Sequence, residues 1–298
     1  MTDKNGAPVV SIVMAAHNED ICISVAIQSI IDQTFGNWEF IIVDDCSSDR
    51  TDEIVREFQK NDGRIKLIAN NVNIGLAASL NRGIASAKGK YIARMDADDV
   101  SYPDRLRLQK VFLDNNSDVS VVGGNADLIY ENGNRIRSTS MPESHDSIKN
   151  VIVRMNPMIH PSVMYRRTFI ERMGGYDERL RRKQDYDLWL RGIKSHVYAN
   201  INDVIIRYRV QPSKPISTDL YGFYVRVLNA HRRKNYLIAV PWAVVILGMN
   251  IMRKFGYKQR MHRSTALLNR EIVWRGISPM GFSVMRYRIQ LQKHFPYI

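Results

Sequence analysis

The sequence predicts an α/β protein: a Rossmann-like, mostly parallel sheet flanked by helices, followed by a helical, basic C-terminal extension. Three observations predict it. Short β-branched runs alternate with helical-period segments through the first hundred residues, a spacing that builds parallel β-α-β units. Acidic clusters fall at or just beyond three strand ends, the edge where such sheets bind ligands. Beyond residue 215 the chain turns basic and apolar, with no further acidic strand-end cluster.

The elements follow in order. Residues 9–15 (VVSIVMA) form a buried strand, and residues 21–31 set Ile23, Ala26, Ile27, Ile30 and Ile31 on one helical face. Residues 40–43 (FIIV) are a second strand. An amphipathic helix over 51–59 follows, with Ser48 or Asp49 available to cap it. Residues 65–69 are a strand, 76–87 a helix and 91–95 a strand. After Asp104-Arg105-Leu106 a helix runs to about Asn115, an apolar segment covers 119–122, and 126–137 reads as a hairpin turning at Glu131-Asn132-Gly133-Asn134. Residues 146–154 and 185–193 are helical, the second with Leu188 and Trp189 inward, and 204–210 alternates as a strand. Residues 211–217 (QPSKPIS) read as a linker.

Composition bounds the function. With 45% hydrophobic and 24% charged residues, the chain is expected to bury a core. The net charge of +13 is uneven: residues 1–150 hold 16 basic and 22 acidic side chains, residues 151–298 hold 27 and 8. The second half therefore suits nucleotide phosphates, nucleic acid or anionic lipid. No nucleic-acid-binding module stands behind the charge, so no nucleic-acid partner is expected. Cys22 and Cys46 lack metal-ligand spacing and are too few for a disulfide framework, which suits reduced thiols in a cytosolic protein. Residues 1–8 are short and polar, unlike a signal peptide.

The acidic clusters are Glu19-Asp20, Asp44-Asp45 and Asp96 with Asp98-Asp99. A solvated loop explains any one of them. Three at one sheet edge repel each other, which calls for a positive partner, most simply a divalent cation. Neither G-x-G-x-x-G nor G-x-x-x-x-G-K-[ST] is present, so dinucleotide and P-loop chemistry lack their phosphate cradles.

Together these motifs resemble the family-two inverting glycosyltransferases of bacterial polysaccharide assembly. The residues that carry the resemblance are Ser11 to Val13, His17-Asn18-Glu19, residues 43–49 (VDDCSSD), 73–75, 81–89 and 95–99 (MDADD). It spans roughly 9–210 and implies the A-type glycosyltransferase fold. It implies a nucleotide-sugar donor, most commonly a UDP-sugar, and Mn²⁺ or Mg²⁺ as cofactor. Asp98 takes the direct metal contact on this resemblance, and Asp96 the ribose or a water-mediated contact. Ala15, His17, Glu19, Asp44, Asp45 and Gly75 line the nucleotide. Asp99 is extra to that pair and orients it. Asp49 and Asp52 read instead as helix-start residues, and Gly75 is equally a turn requirement.

Inversion needs a general base for the acceptor hydroxyl. The family opens a helix with a Glu-Asp pair, and this chain reads Gln184-Asp185-Tyr186-Asp187-Leu188-Trp189. Asp185 takes the base position. Gln184 departs from the pattern and bears on acceptor handling, while Asp187 reads as a surface or supporting residue. His160 is a candidate contact for diphosphate or acceptor, and equally a structural histidine. Arg181-Arg182-Lys183 either ease the leaving charge or form a solvated loop. The Gln-x-x-Arg-Trp motif of processive synthases is missing, so one sugar is expected per encounter. A sugar nucleotidyltransferase and a non-catalytic interaction protein on the same fold are the alternatives.

On this reading residues 1–215 are the transferase domain, with a nucleotide half to about 105 and an acceptor half beyond. Residues 216–298 are the C-terminal region. There His231-Arg232-Arg233-Lys234 and Arg253-Lys254 bracket a charge-free run, 236–252. At about 1.5 Å per residue it is near 25 Å long, marginal for a span. A buried core helix is one reading. The favoured one is a helix on an anionic membrane, on the cytoplasmic face, beside a saccharide or lipid-linked acceptor.

Overall fold

The computed structural model describes residues 7–210 together with Val225 and Asn229. Among them nine strands form one sheet in the order β3-β2-β1-β4-β8-β6-β9-β5, with β7 beside β6. The first four are β1 (Val10–Ala16), β2 (Trp38–Asp44), β3 (Ile65–Ala69) and β4 (Tyr91–Asp96). They pair in parallel through α1 (Ile23–Ile31), α2 (Thr51–Asn61) and α3 (Leu76–Ser86). After β5 (Val100–Ser101) and α4 (Arg105–Asn115), β6 (Val119–Ile129) and β7 (Arg135–Ser138) form the expected hairpin. Next come α5 (His145–Val151), a 3-10 turn (His160–Ser162), β8 (Met164–Arg166), α6 (Arg167–Met173), α7 (Gln184–Gly192) and β9 (Val197–Arg209). Strands β1–β4, β6 and β9 share one direction, and the short strands β5, β7 and β8 run against it. The mostly parallel sheet is there, and six carboxyl ends open on one edge.

Strand alternation splits the core into two layers. Val10, Ile12, Met14, Phe40, Ile42, Tyr91 and Ala93 face one cluster with Ile23, Ile27 and Leu106. Val13, Ile41, Val43 and Ile92 face the other with Leu80, Phe169, Leu188 and Trp189. Register levels the strand ends, since Ala15 lies opposite both Val43 and Asp96, and Ala16 opposite Asp44. Residues about 30 and 80 positions apart thereby reach one place.

The expected boundaries differ where tertiary contact overrides local pattern. β6 runs unbroken through Gly123-Gly124, and β9 begins at Val197 rather than 204. The glycine pair permits this because a Cβ on Gly123 would lie 2.2 Å from Asn200 Oδ1, and one on Gly124 2.7 Å from Ile205 Cδ1. α5 stops at Val151 rather than 154. β5, β8 and α6 are too short or too weakly periodic to have been anticipated. Asp49, not Ser48, serves the start of α2: its carboxylate accepts Thr51 N–H at 3.0 Å, whereas Ser48 N–H donates to Asn18 Oδ1. The linker at 211–217 and the run at 236–252 lie outside the described residues. Among the described residues no helix is long and apolar enough to cross a membrane.

Gly123→Ala tests the close β6–β9 approach. Asn200 cannot swing aside freely, because its Nδ2 donates to Pro142 O and Pro157 O at 2.7 and 3.1 Å. The variant is expected to lose about 1–3 kcal/mol, read as a lower urea midpoint. An unchanged midpoint would show that Asn200 yields without cost.

A candidate active site at the carboxyl edge of the sheet

β4 ends in three carboxylates. Asp96, Asp98 and Asp99 each place an oxygen within 4.8 Å of the others. Asp99 is fully buried; one oxygen accepts Arg209 N–H at 2.7 Å and the other has no hydrogen-bond partner. Burial, then the Asp96 charge, raises the Asp98 carboxyl above its ordinary range, and burial with Asp96 and Asp98 raises Asp99 well above. Asp96 pairs with the guanidinium of Arg94, whose side chain is 2% exposed. A second buried guanidinium, Arg105, donates to Arg94 O at 2.6 Å and to Gln109 Oε1 at 3.2 Å. Burial lowers its pKa to about 9, with the Asp99 charge opposing.

The loops after β1 and β2 are stitched together beside this cluster. Asn18 N–H donates to Ser47 Oγ at 3.0 Å, Glu19 N–H to Thr51 Oγ1 at 2.8 Å and Asp20 N–H to Asp49 at 3.1 Å. His17 is exposed, with Nδ1 at 3.0 Å from Asp45 O. Glu19 turns its carboxyl to the cluster, where burial followed by the charges of Asp98, Asp96 and Asp49 raises its pKa to about 7. Asp44 accepts from the Ser47 hydroxyl and, at 3.2 Å, from Ser47 N–H. Ala15, half-buried, sits between these strand ends.

Asp45 has different partners. Its oxygens accept Asn70 Nδ2, Ile74 N–H and Gly75 N–H, each at 2.8 Å. Burial alone would raise its pKa, and these hydrogen bonds outweigh it, leaving the carboxyl below its usual range. Asp45 thus holds the 70–75 loop against the strand edge. Gly75, with φ +88°, turns that loop into α3 in a conformation that suits glycine.

The acceptor side rises from the start of α7. Asp185 Oδ2 accepts Asn156 Nδ2 at 2.5 Å. Burial raises the Asp185 carboxyl above its ordinary range, against the lowering effects of Tyr186 N–H, Lys183, Asn156 and Arg94. Gln184 is buried, and its side-chain oxygen has no hydrogen-bond partner. His160 Nε2 lies 2.8 Å from Tyr176 Oη, with its ring edge-on to Tyr176 and Trp189. Burial and then Arg94 hold it far below the usual histidine range, so it is neutral. Asp187 is not a surface residue. It is fully buried, pairs with Arg191 Nε at 2.7 Å and accepts from Asn229 Nδ2 at 2.7 Å.

Tyr208 joins the two sides. Burial, then the charges of Asp96, Asp99, Asp185 and Asp98, raise its phenol above the usual range, so the strand-end cluster and Asp185 share its neighbourhood. Arg94, Asn156, Tyr208 and Arg209 were not anticipated. A charge inside the apolar strand YIARM was the signal for Arg94; the others had none beyond lying on strand β9 or in a loop.

A family model described as Glycosyl transferase family 2 matches residues 11–185. The chain is 38% identical over 90% of its length to 100% of a Bacillus subtilis protein named "Putative glycosyltransferase EpsE". It is 33% identical over 68% of its length to 78% of an Escherichia coli protein, WfgD. That protein is named a UDP-Glc:alpha-D-GlcNAc-diphosphoundecaprenol beta-1,3-glucosyltransferase. Among solved structures, Staphylococcus aureus TarS 1–349 in complex with UDP-GlcNAc superposes with a TM-score of 0.63. The match is 19% identical and covers 83% of this chain and 73% of that one, a likeness of fold.

The acidic cluster sets a pH dependence. A carboxyl raised in the folded state stabilises it fully below the unfolded pKa and loses that stabilisation as pH climbs through the folded value. For Glu19 the window runs from about 4.5 to about 7. In EDTA, Glu19→Gln is therefore expected to gain in melting temperature over the parent as pH rises across that window. Mn²⁺ should raise the parent's melting temperature more at pH 7.5 than at pH 5. Equal Mn²⁺ shifts at both pH values would place the cation away from these carboxylates.

Proposed function

The chain belongs to glycosyltransferase family 2 and is a glycosyltransferase, and from that membership we propose an inverting, divalent-cation-dependent, non-processive transfer of one sugar from a UDP-sugar onto a saccharide hydroxyl. The observation that carries this reading is the cluster of Asp96, Asp98 and Asp99 oxygens, all within 4.8 Å of one another, at the carboxyl end of β4.

Divalent-cation binding passes a test of fit. Three close carboxylates, all oxygen donors, with one buried oxygen lacking a partner, match the hard-cation preference of Mg²⁺ or Mn²⁺. Asp98 and Asp96 are the residues that would hold it, with Asp99 behind them. When bound there it supplies charge neutralisation for the departing diphosphate. Asp44 and the Ala15–Glu19 loop, with Asp45 and Gly75 shaping the neighbouring wall, take the ribose and base.

Asp185 acts as the base. Its oxygen accepts the proton of the acceptor hydroxyl while the hydroxyl oxygen bonds to the anomeric carbon. The bond from that carbon to the diphosphate oxygen breaks, and the diphosphate leaves with the electron pair. Attack opposite the leaving group inverts the centre. Burial supports this role by increasing the carboxylate's appetite for a proton. Neutral His160 and Gln184, with its unpartnered oxygen, suit contacts to acceptor or diphosphate.

For the acceptor we take a saccharide, free or lipid-linked, in cell-surface polysaccharide assembly. WfgD supports a lipid-linked saccharide, since its name specifies a diphosphoundecaprenol acceptor. The +13 net charge, concentrated after residue 150, supports peripheral attachment to the cytoplasmic face of an anionic membrane.

Asp98→Ala is expected to abolish Mn²⁺-dependent UDP affinity in calorimetry while the protein stays folded. Asp185→Asn is expected to keep that affinity and lose about 10²- to 10⁴-fold in turnover, whose acid limb in the parent lies above the ordinary aspartate range. Loss of less than tenfold would remove Asp185 from the base role. For the membrane, the full chain should sediment with anionic liposomes at low salt and not with neutral ones. A supernatant fraction unchanged by anionic lipid would sink that part.

A further inference from the structure

Two residues beyond the sheet, Val225 and Asn229, pack against the helix that carries Asp185. Val225 is fully buried in the same apolar layer as Leu188, Trp189 and Leu190 of α7. Asn229 is 3% exposed; its Nδ2 donates to Asp187 Oδ1 at 2.7 Å and to Val225 O, four residues earlier, at 3.1 Å. The other Asp187 oxygen accepts Arg191 Nε at 2.7 Å. Arg191 in turn donates to Met173 O at 2.5 Å and Gly175 O at 2.7 Å, at the end of α6. α7 is therefore gripped through polar contacts from two directions. Arg191 ties it to α6, and Asp187 ties it to Asn229.

We propose that Asn229 is a positioning residue for the base helix. It holds Asp187, and through the rigid first turn of α7 it fixes the aim of Asp185, resting on the reading of Asp185 as the base. Two positions along a helix is about 200° of rotation, so Asp187 turns to the packed side when Asp185 turns to the site. A buried carboxylate needs its donors. Taking one away lets α7 shift or roll, and a misplacement of about 1 Å at a reacting group costs on the order of 10²-fold in rate. The donor side of the site, built on β1, β2 and β4, has no part in this brace. The effect should fall on turnover and spare nucleotide affinity.

The full chain tests this with Asn229→Leu, which keeps the branched shape of the side chain and removes the amide, and Asn229→Asp, which sets a second carboxylate against the first. A third variant swaps the pair, Asp187→Asn with Asn229→Asp. An asparagine at 187 can still accept from Arg191 through its oxygen and donate to the new carboxylate, restoring one charge and the 187–191 and 187–229 hydrogen bonds while giving up the bond to Val225 O. Turnover is read as Mn²⁺-dependent hydrolysis of UDP-glucose and UDP-GlcNAc, water standing in for the acceptor. UDP affinity is read by calorimetry.

Both single variants should lower kcat about 10- to 100-fold with UDP affinity within about twofold of the parent, and the swap should recover most of the rate. An Asn229→Leu protein with parental kcat overturns the proposal. So does a rate loss that the swap leaves unrepaired, or one matched by an equal loss of UDP affinity. A parental rate insensitive to Asp185→Asn removes the base assignment instead, which separates the two failures.

Discussion

The Arg94 guanidinium, shut away from water beside the end of β4, is the contact on which the site's electrostatics depend. It meets Asp96 directly, and its charge also opposes the raised proton affinity of Asp98, Asp99 and Asp185. Burying an ion costs several kcal/mol, while a pair at 4 Å returns about 4 kcal/mol at an effective dielectric near 20. Arg94 and Asp96 therefore depend on each other, and Arg105 shares the load by holding the Arg94 carbonyl. Even so, the carboxyls of Glu19, Asp98 and Asp99 remain raised. The chain's own cations thus leave part of the cluster's negative charge unneutralised.

Backbone geometry delivers those groups. Parallel register levels the ends of β1, β2 and β4, and Asp45 and Asp44 then fold the following loops back onto the same edge. The described non-glycine residues in the left-handed region are Asn18, Cys46 and Lys183, which flank the donor loops and the start of α7. Such conformations cost of order 1 kcal/mol or more and persist where surrounding contacts fix them. Asn18 N–H donates to Ser47 Oγ and its side-chain oxygen accepts Ser48 N–H, so the strain is held by one side chain and one backbone group of the facing loop.

Much of this was legible from residue order. Short β-branched apolar runs gave β1 to β4, helical-period segments gave α1 to α3, and Asp96 and Asp98 at a strand end pointed to the acidic cluster. What stayed hidden depends on contacts between distant residues. Gly123-Gly124 look like a strand break, yet they continue β6 because Asn200 and Ile205 need the room. Asp45 and Asp44 are neighbours of one type, and only the fold shows Asp45 engaged by Asn70, Ile74 and Gly75. Asp187 read equally as a surface or a supporting residue, because its partner Asn229 lies 42 positions away. Tyr208 and Asn156 likewise carry no local pattern that marks them.

On the proposed mechanism a divalent cation belongs among Asp96, Asp98 and the donor diphosphate. Crystals grown with UDP and Mn²⁺, measured for manganese anomalous scattering, test it most directly. A single strong peak within about 2.0–2.6 Å of an Asp98 oxygen and of a diphosphate oxygen is the predicted result. UDP bound in the cleft with no anomalous peak at the β4 end, or with the peak held by other residues, would contradict it.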